Sequence, residues 1–92
     1  MKASKIKERP EQVQRAYKIL PERLYQIRRE KKLTQLEVEQ GTGISMCCVS
    51  VYENGVKYPK FDNLIRLAVF YGVSVGWLLG ETDRKNTEEK HD

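Results

Sequence analysis

The sequence predicts an all-α domain of five short helices, and three observations carry that prediction. Apolar residues recur at helical spacing in residues 11–20 and 61–71. Thr34, Ser45 and Ser74, residue types that cap helices, each stand at the head of a short pattern, and Gly43, Gly55 and Gly72 stand where the patterns stop. The chain has 92 residues, enough for one small domain whose modest core suits a compact helical bundle.

Residues 1–10 (MKASKIKERP) are polar and basic, are closed by Pro10, and read as a disordered arm. In residues 11–20, Val13, Ala16, Tyr17 and Leu20 fall at i, i+3, i+4 and i+7, the spacing of a short helix. Pro21 lacks an amide donor and either ends that helix or begins the next. Whether this segment packs on the domain or makes a dimer contact stays open. Residues 21–32 form the next helix, with Leu24 and Ile27 inward. Glu22 lies near its positive end, and Arg28, Arg29, Lys31 and Lys32 lie toward its negative end.

Thr34 and Glu37 make a capping box that opens a helix over residues 35–42. Gly43 can take the left-handed conformation that ends it, and Ser45 caps another helix over residues 46–54. At about 100° per residue, Val49 and Tyr52 point one way, while Met46, Cys47, Ser50, Val51 and Asn54 point roughly the other. A helix capped, broken at glycine and restarted within a few residues is a helix-turn-helix, whose second helix fits a DNA major groove. Residues 55–60 form a loop containing Pro59. Residues 61–71 form a helix with Phe61, Leu64, Leu67, Ala68 and Tyr71 inward, ended by Gly72. Ser74 caps a last short helix in which Trp77 and Leu78 read as core. Residues 81–92 contain no large apolar residue and read as a disordered polar tail. The chain thus divides into a basic arm with a short helix (1–20), a helical domain (21–80) and a tail (81–92).

Leu33-Thr34-Gln35, Gly43-Ile44-Ser45 and Tyr52-Glu53-Asn54-Gly55 carry more than a pattern. With Pro59, Leu64, Leu67-Ala68, Gly72-Val73-Ser74 and Trp77-Leu78-Leu79-Gly80, they resemble the phage-repressor and Cro-like helix-turn-helix family, the xenobiotic-response-element type. The resemblance runs from about Leu24 to Gly80. It implies a five-helix, lambda-repressor-like DNA-binding domain, here with an extra N-terminal helix allowed by residues 11–20. It also implies sequence-specific binding of double-stranded DNA, as a transcriptional repressor acting as a dimer. An arginine at the position of Arg28 pairs in the family with the glutamate of the Tyr-Glu-Asn-Gly motif, so Arg28 and Glu53 are expected to form an ion pair. Two positions depart from the family. Lys32 stands where glycine is frequent, and Glu39 stands where a small residue lets the two motif helices cross closely.

Binding duplex DNA requires gripping the backbone and reading the bases. For grip, the resemblance points to Gln35 at the head of the first motif helix, and to Asn54, Lys57, Tyr58 and Lys60. For reading, it points to Met46, Cys47, Ser50 and Val51. None of these four is Arg, Lys, Asn or Gln, the usual readers of base edges. Met, Cys and Val instead suit contact with thymine methyl groups, so the expectation is an A·T-leaning readout or reliance on DNA shape. Val69 and Phe70, apolar where the fourth helix begins to face outward, are with Trp77 the candidate dimer surface.

The competing reading is an antitoxin or adaptor that uses the helix-turn-helix mainly for protein interaction, since Met and Val suit a binding patch. Charge leans toward a polyanionic partner: the net is +4 overall, with +4 in residues 1–20, +2 in 21–80 and −2 in 81–92. The sequence holds no phosphate-binding glycine loop and no Cys/His pair close in sequence, so neither an enzyme nor a cofactor is expected. Cys47 and Cys48 are adjacent, and neighbours on a helix diverge too far to make a disulfide or a metal site by themselves. With no run of 18 apolar residues and a highly charged N-terminus, the expectation is a reduced, cytoplasmic protein without a membrane span.

Overall fold

A computed structural model describes residues 10–86, and these form five α-helices. They are α1 (Glu11–Glu30), α2 (Gln35–Thr42), α3 (Met46–Glu53), α4 (Phe61–Tyr71) and α5 (Val75–Leu78). The arm expected over residues 1–9 and the end of the tail, 87–92, lie outside the described residues.

The first helix differs from the sequence expectation. Residues 11–20 do not form a separate helix, because α1 runs unbroken through Pro21 for 20 residues. Pro21 lacks the amide that would bond four residues back, a loss that usually ends or bends a helix. Here its ring is buried, beside the backbone of Gly55 after α3, and burial of Leu20, Leu24 and Ile27 on the same helix offsets the missing bond. The helix closes at Lys32, whose φ of 58° places a side-chain-bearing residue in the left-handed region. That conformation lets the Leu33 amide donate to the Arg28 carbonyl, the bond that seals a helix C-terminus.

The two motif helices follow their local signals. The Thr34 hydroxyl accepts from the Glu37 amide at 3.0 Å, and the Glu37 carboxylate accepts from the Thr34 amide at 2.8 Å. Gly43 at φ 80° ends α2, and the Ser45 hydroxyl then caps α3 by accepting from the Cys48 amide at 3.1 Å. Thr42 strengthens the turn between them, donating to the Val38 carbonyl and accepting from the Ile44 amide. Val38, Ile44, Val49 and Tyr52 carry the motif into the core, where they meet Leu24 and Ile27 of α1, Leu67, Ala68 and Tyr71 of α4, and Trp77 and Leu78 of α5. α3 packs on α1 and α2, and α4 joins α2 to α5.

Two further expectations are corrected. Phe61 does not belong to the inward face of α4 but is 75% exposed, because it falls in line with the exposed Ile65 and Val69, while Leu64 of the same turn packs against the core. The polar tail does not leave the domain at residue 81. Residues 81–86 turn back along α5, where the Glu81 amide donates to the Gly76 carbonyl, and the Ser74 amide and hydroxyl donate to the carbonyls of Lys85 and Arg84. Arg23 of α1 donates to the carbonyls of Trp77 and Thr82, and Lys85 pairs with Glu30 at 2.7 Å. Arg23 and Lys85 both lie over the Trp77 ring, so a segment without large apolar residues is held by cations, carbonyls and one aromatic face. Among the described residues no helix is long and apolar enough to cross a membrane.

Candidate nucleic-acid interface

The site is built around α3. Val49 and Tyr52 anchor its inner face, which turns Met46 and Cys47 outward and leaves Ser50 and Val51 half-buried at its edges. After α3, Asn54 and Gly55, the latter at φ 73°, reverse the chain, and the Val56 amide donates to the Val51 carbonyl at 2.9 Å. The reversal carries Lys57, Tyr58 and Lys60 back alongside α3. Cys47, Val51, Lys57, Tyr58 and Lys60 line one shared concavity, joined by Cys48, Tyr52 and Asn63. Of the predicted contact residues, these five converge directly, and Met46 and Ser50 lie on the same helix beside them.

Gln35 and Asn54 are placed differently. The Gln35 side-chain amide donates to Glu53 Oε1 at 3.2 Å, so it faces inward along the motif and not straight out from the head of α2. The Asn54 amide donates to the Ser50 hydroxyl at 3.4 Å, tying a predicted backbone contact to a predicted base contact.

Beneath this face lies an ion pair that joins three helices. Arg28 of α1 donates from Nε to Glu53 Oε2 at 2.7 Å and from Nη2 to Glu53 Oε1 at 3.0 Å, while its Nη1 donates to the Leu33 carbonyl. Side-chain exposure is 10% for Arg28 and 4% for Glu53, so the pair is desolvated. The hydrogen bond that Arg28 donates to Glu53 holds its guanidinium above its ordinary pKa, against the opposing effect of burial.

Electrostatics at the surface are mixed. Lys57 and Lys60 are exposed, and neither takes part in an ion pair among the described residues, where the pairs are those of Arg23, Arg28 and Lys85. Glu39 resolves what its carboxylate does at the helix crossing: Oε1 accepts from the Met46 amide at 2.9 Å. It therefore sits at the N-terminus of α3, where the helix dipole favours negative charge. Sequence reasoning placed Glu39 at the crossing but not its destination, since a seven-residue reach across a turn has no periodic signature. It also missed Tyr17, whose ring meets that of Tyr58 edge-on at 4.6 Å and so braces the loop from α1. Asn63 was missed too; it donates to the Tyr52 hydroxyl at 3.1 Å.

The candidate dimer residues are not brought together. Trp77 is only 3% exposed, covered by Arg23, Lys85 and the 81–86 segment, and cannot contribute to a surface. Phe70 is half-buried on Gly41, whose missing side chain makes room for the ring. Val69 alone of the three is open, at 74% exposure.

Comparison with known proteins points the same way as this geometry. A family described as a helix-turn-helix domain matches residues 22–84. The uncharacterized HTH-type transcriptional regulator YobD of Bacillus subtilis (strain 168) is 39% identical over 75 residues, covering 74% of this chain and 67% of that protein. The cryptic phage CTXphi transcriptional repressor RstR of Vibrio cholerae is 36% identical over 64 residues, covering 70% of this chain and 57% of that protein. The uncharacterized HTH-type transcriptional regulator y4dJ of Sinorhizobium fredii (strain NBRC 101917 / NGR234) is 39% identical over 66 residues, covering 72% and 86% respectively. The chain thus spans little more than half of the RstR length. No solved structure matches.

Proposed function

The chain belongs to the helix-turn-helix domain family, in its Cro- and lambda-repressor-like form, and from that premise we propose that it binds operator DNA as a homodimeric transcriptional repressor. The family is one of DNA-binding regulators, not of enzymes. The observation that carries the proposal is the concavity where the exposed Cys47 and the half-buried Val51 of α3 meet Lys57 and Lys60, two exposed lysines that form no ion pair among the described residues. A groove-inserted helix flanked by cations matches the division of labour between base reading and phosphate grip.

In this reading α3 enters the major groove with Met46, Cys47, Ser50 and Val51 toward the bases. Lys57 and Lys60 neutralise phosphates on one strand, Tyr58 donates its hydroxyl beside them, and Asn54 closes the same side. Gln35 acts less directly, because its amide serves Glu53. Readout rests on apolar contact with thymine methyls and on DNA shape, which favours A·T-rich operators of low information content. The repressor role is supported by the named activity of RstR, and cytoplasmic location follows from that of the DNA.

Fluorescence anisotropy with a random-sequence duplex pool tests the proposal. Binding is expected to weaken steeply as salt rises, and a Lys57→Ala/Lys60→Ala double variant is expected to lower the slope of log K against log salt by about 2. A chain that retains no duplex even in dilute buffer, or whose binding ignores salt, overturns it.

A further inference from the structure

The geometry points to α4 as the surface on which a second copy of this chain docks, antiparallel across a twofold axis through Ile65. This inference rests on the reading of the chain as a dimeric DNA binder and replaces the surface that the burial of Trp77 removes. Phe61, Ile65 and Val69 recur every four residues and are 75%, 36% and 74% exposed, so they form a continuous apolar stripe on the outside of α4. The stripe runs on into a concavity of about 380 Å³ shared with Gly41 and Thr42 of α2.

The charges beside the stripe argue for a second copy over a foreign partner. Asp62 and Arg66 both lie on one flank of the stripe and both are exposed. Although they stand one helical turn apart, they form no ion pair with each other among the described residues; the Arg66 guanidinium instead reaches toward Gly43. A twofold axis through Ile65 places Phe61 against Val69 of the second copy. It also keeps the charged flanks of both helices on the same side. At a rise of about 1.5 Å per residue, Asp62 of one copy and Arg66 of the other are then offset by roughly 3 Å along the axis. The patch is therefore self-complementary in shape and in charge, as an isologous interface requires. A stripe of three side chains is small, so the free dimer is weak and forms at about 10–100 µM.

Sedimentation equilibrium of the full chain without DNA, from about 10 µM to 1 mM, tests this. A monomer–dimer equilibrium is expected. Val69→Asp adds a charge at an open position without touching the core, and is expected to weaken dimerisation at least tenfold while leaving the melting curve in place. Asp62→Arg and Arg66→Asp are each expected to weaken it, and the double exchange to restore it. A parent chain that stays monomeric throughout, a Val69→Asp chain that dimerises like the parent, or a double exchange no better than the single changes overturns the proposal. A monomeric parent that still binds duplex at low salt refutes this face alone, whereas a dimer that retains no duplex refutes the DNA reading alone.

Discussion

Arg28 of α1 holds both carboxylate oxygens of Glu53, the last residue of α3, at 2.7 and 3.0 Å. The same carboxylate receives the Gln35 amide from α2, so one buried anion sets the relative positions of the reading helix and the two helices behind it. Removing its charge leaves a buried guanidinium half-paired. Glu53→Gln is expected to cost about 3 kcal/mol, read as a lower midpoint in urea unfolding at an unchanged slope. A loss under about 1 kcal/mol would fit only an exposed pair.

Lys32 carries a side chain where the backbone favours none, at φ 58°. The left-handed conformation costs an ordinary residue roughly 1–2 kcal/mol, part of which glycine gives back through its freer unfolded chain. Lys32→Gly is therefore expected to stabilise the fold by up to about 1 kcal/mol, a rise of roughly 4–8 °C in Tm. Calorimetry of the two chains checks this, and an unchanged or lower Tm contradicts the strain.

Glu39 places a negative charge at the end of α3 that enters the groove in the proposed complex. Glu39→Gln keeps the acceptor for the Met46 amide and removes the charge. The expected stability loss is under about 1 kcal/mol, since only the dipole interaction goes. Duplex affinity is expected to rise, because a carboxylate beside phosphates is repelled. Anisotropy at fixed salt measures the change; weaker binding by a chain that melts like the parent would show that the carboxylate assists the interface.

Tyr71 is buried among the core residues, and desolvation, with the Glu53 charge nearby, holds its phenol well above the ordinary value of 10.0. The folded chain therefore keeps the proton that the unfolded chain gives up near that value. The stability contributed this way is fully present below pH 10.0 and is lost as pH rises above it toward the folded value. Unfolding free energy is expected to fall with rising pH in this alkaline range, and the fall is expected to be shallower in Tyr71→Phe. Urea midpoints collected from pH 9 upward compare the two slopes, and parallel slopes contradict the burial effect.

Much of the fold was legible in the sequence because its signals are short. The Thr34–Glu37 box, the Ser45 and Ser74 caps, and the glycines at 43 and 72 act through bonds across two to four residues, and both ends of α2, the starts of α3 and α5 and the end of α4 follow from them. The outward turn of Met46 and Cys47 followed from Val49 and Tyr52 pointing inward on the same short helix. Pro21 misled because a local rule about its missing amide was overridden by burial of the residues around it. Phe61 misled because it stands at the edge of the apolar face, where spacing alone does not separate it from the outward line it shares with Ile65 and Val69.

By itself, then, the order of residues determined where helices begin and end, that two of them form the turn motif, and which side of α3 is left for a partner. Tertiary structure decided the rest. It chose which carboxylate caps α3, which tyrosine braces the Tyr58 loop, and that Trp77 is closed off while the α4 stripe stays open. The physical reason is separation: the contacts of Arg23 with Trp77 and Thr82 join residues 54 and 59 apart, and nothing in a local window specifies which distant group will arrive to cover a given face.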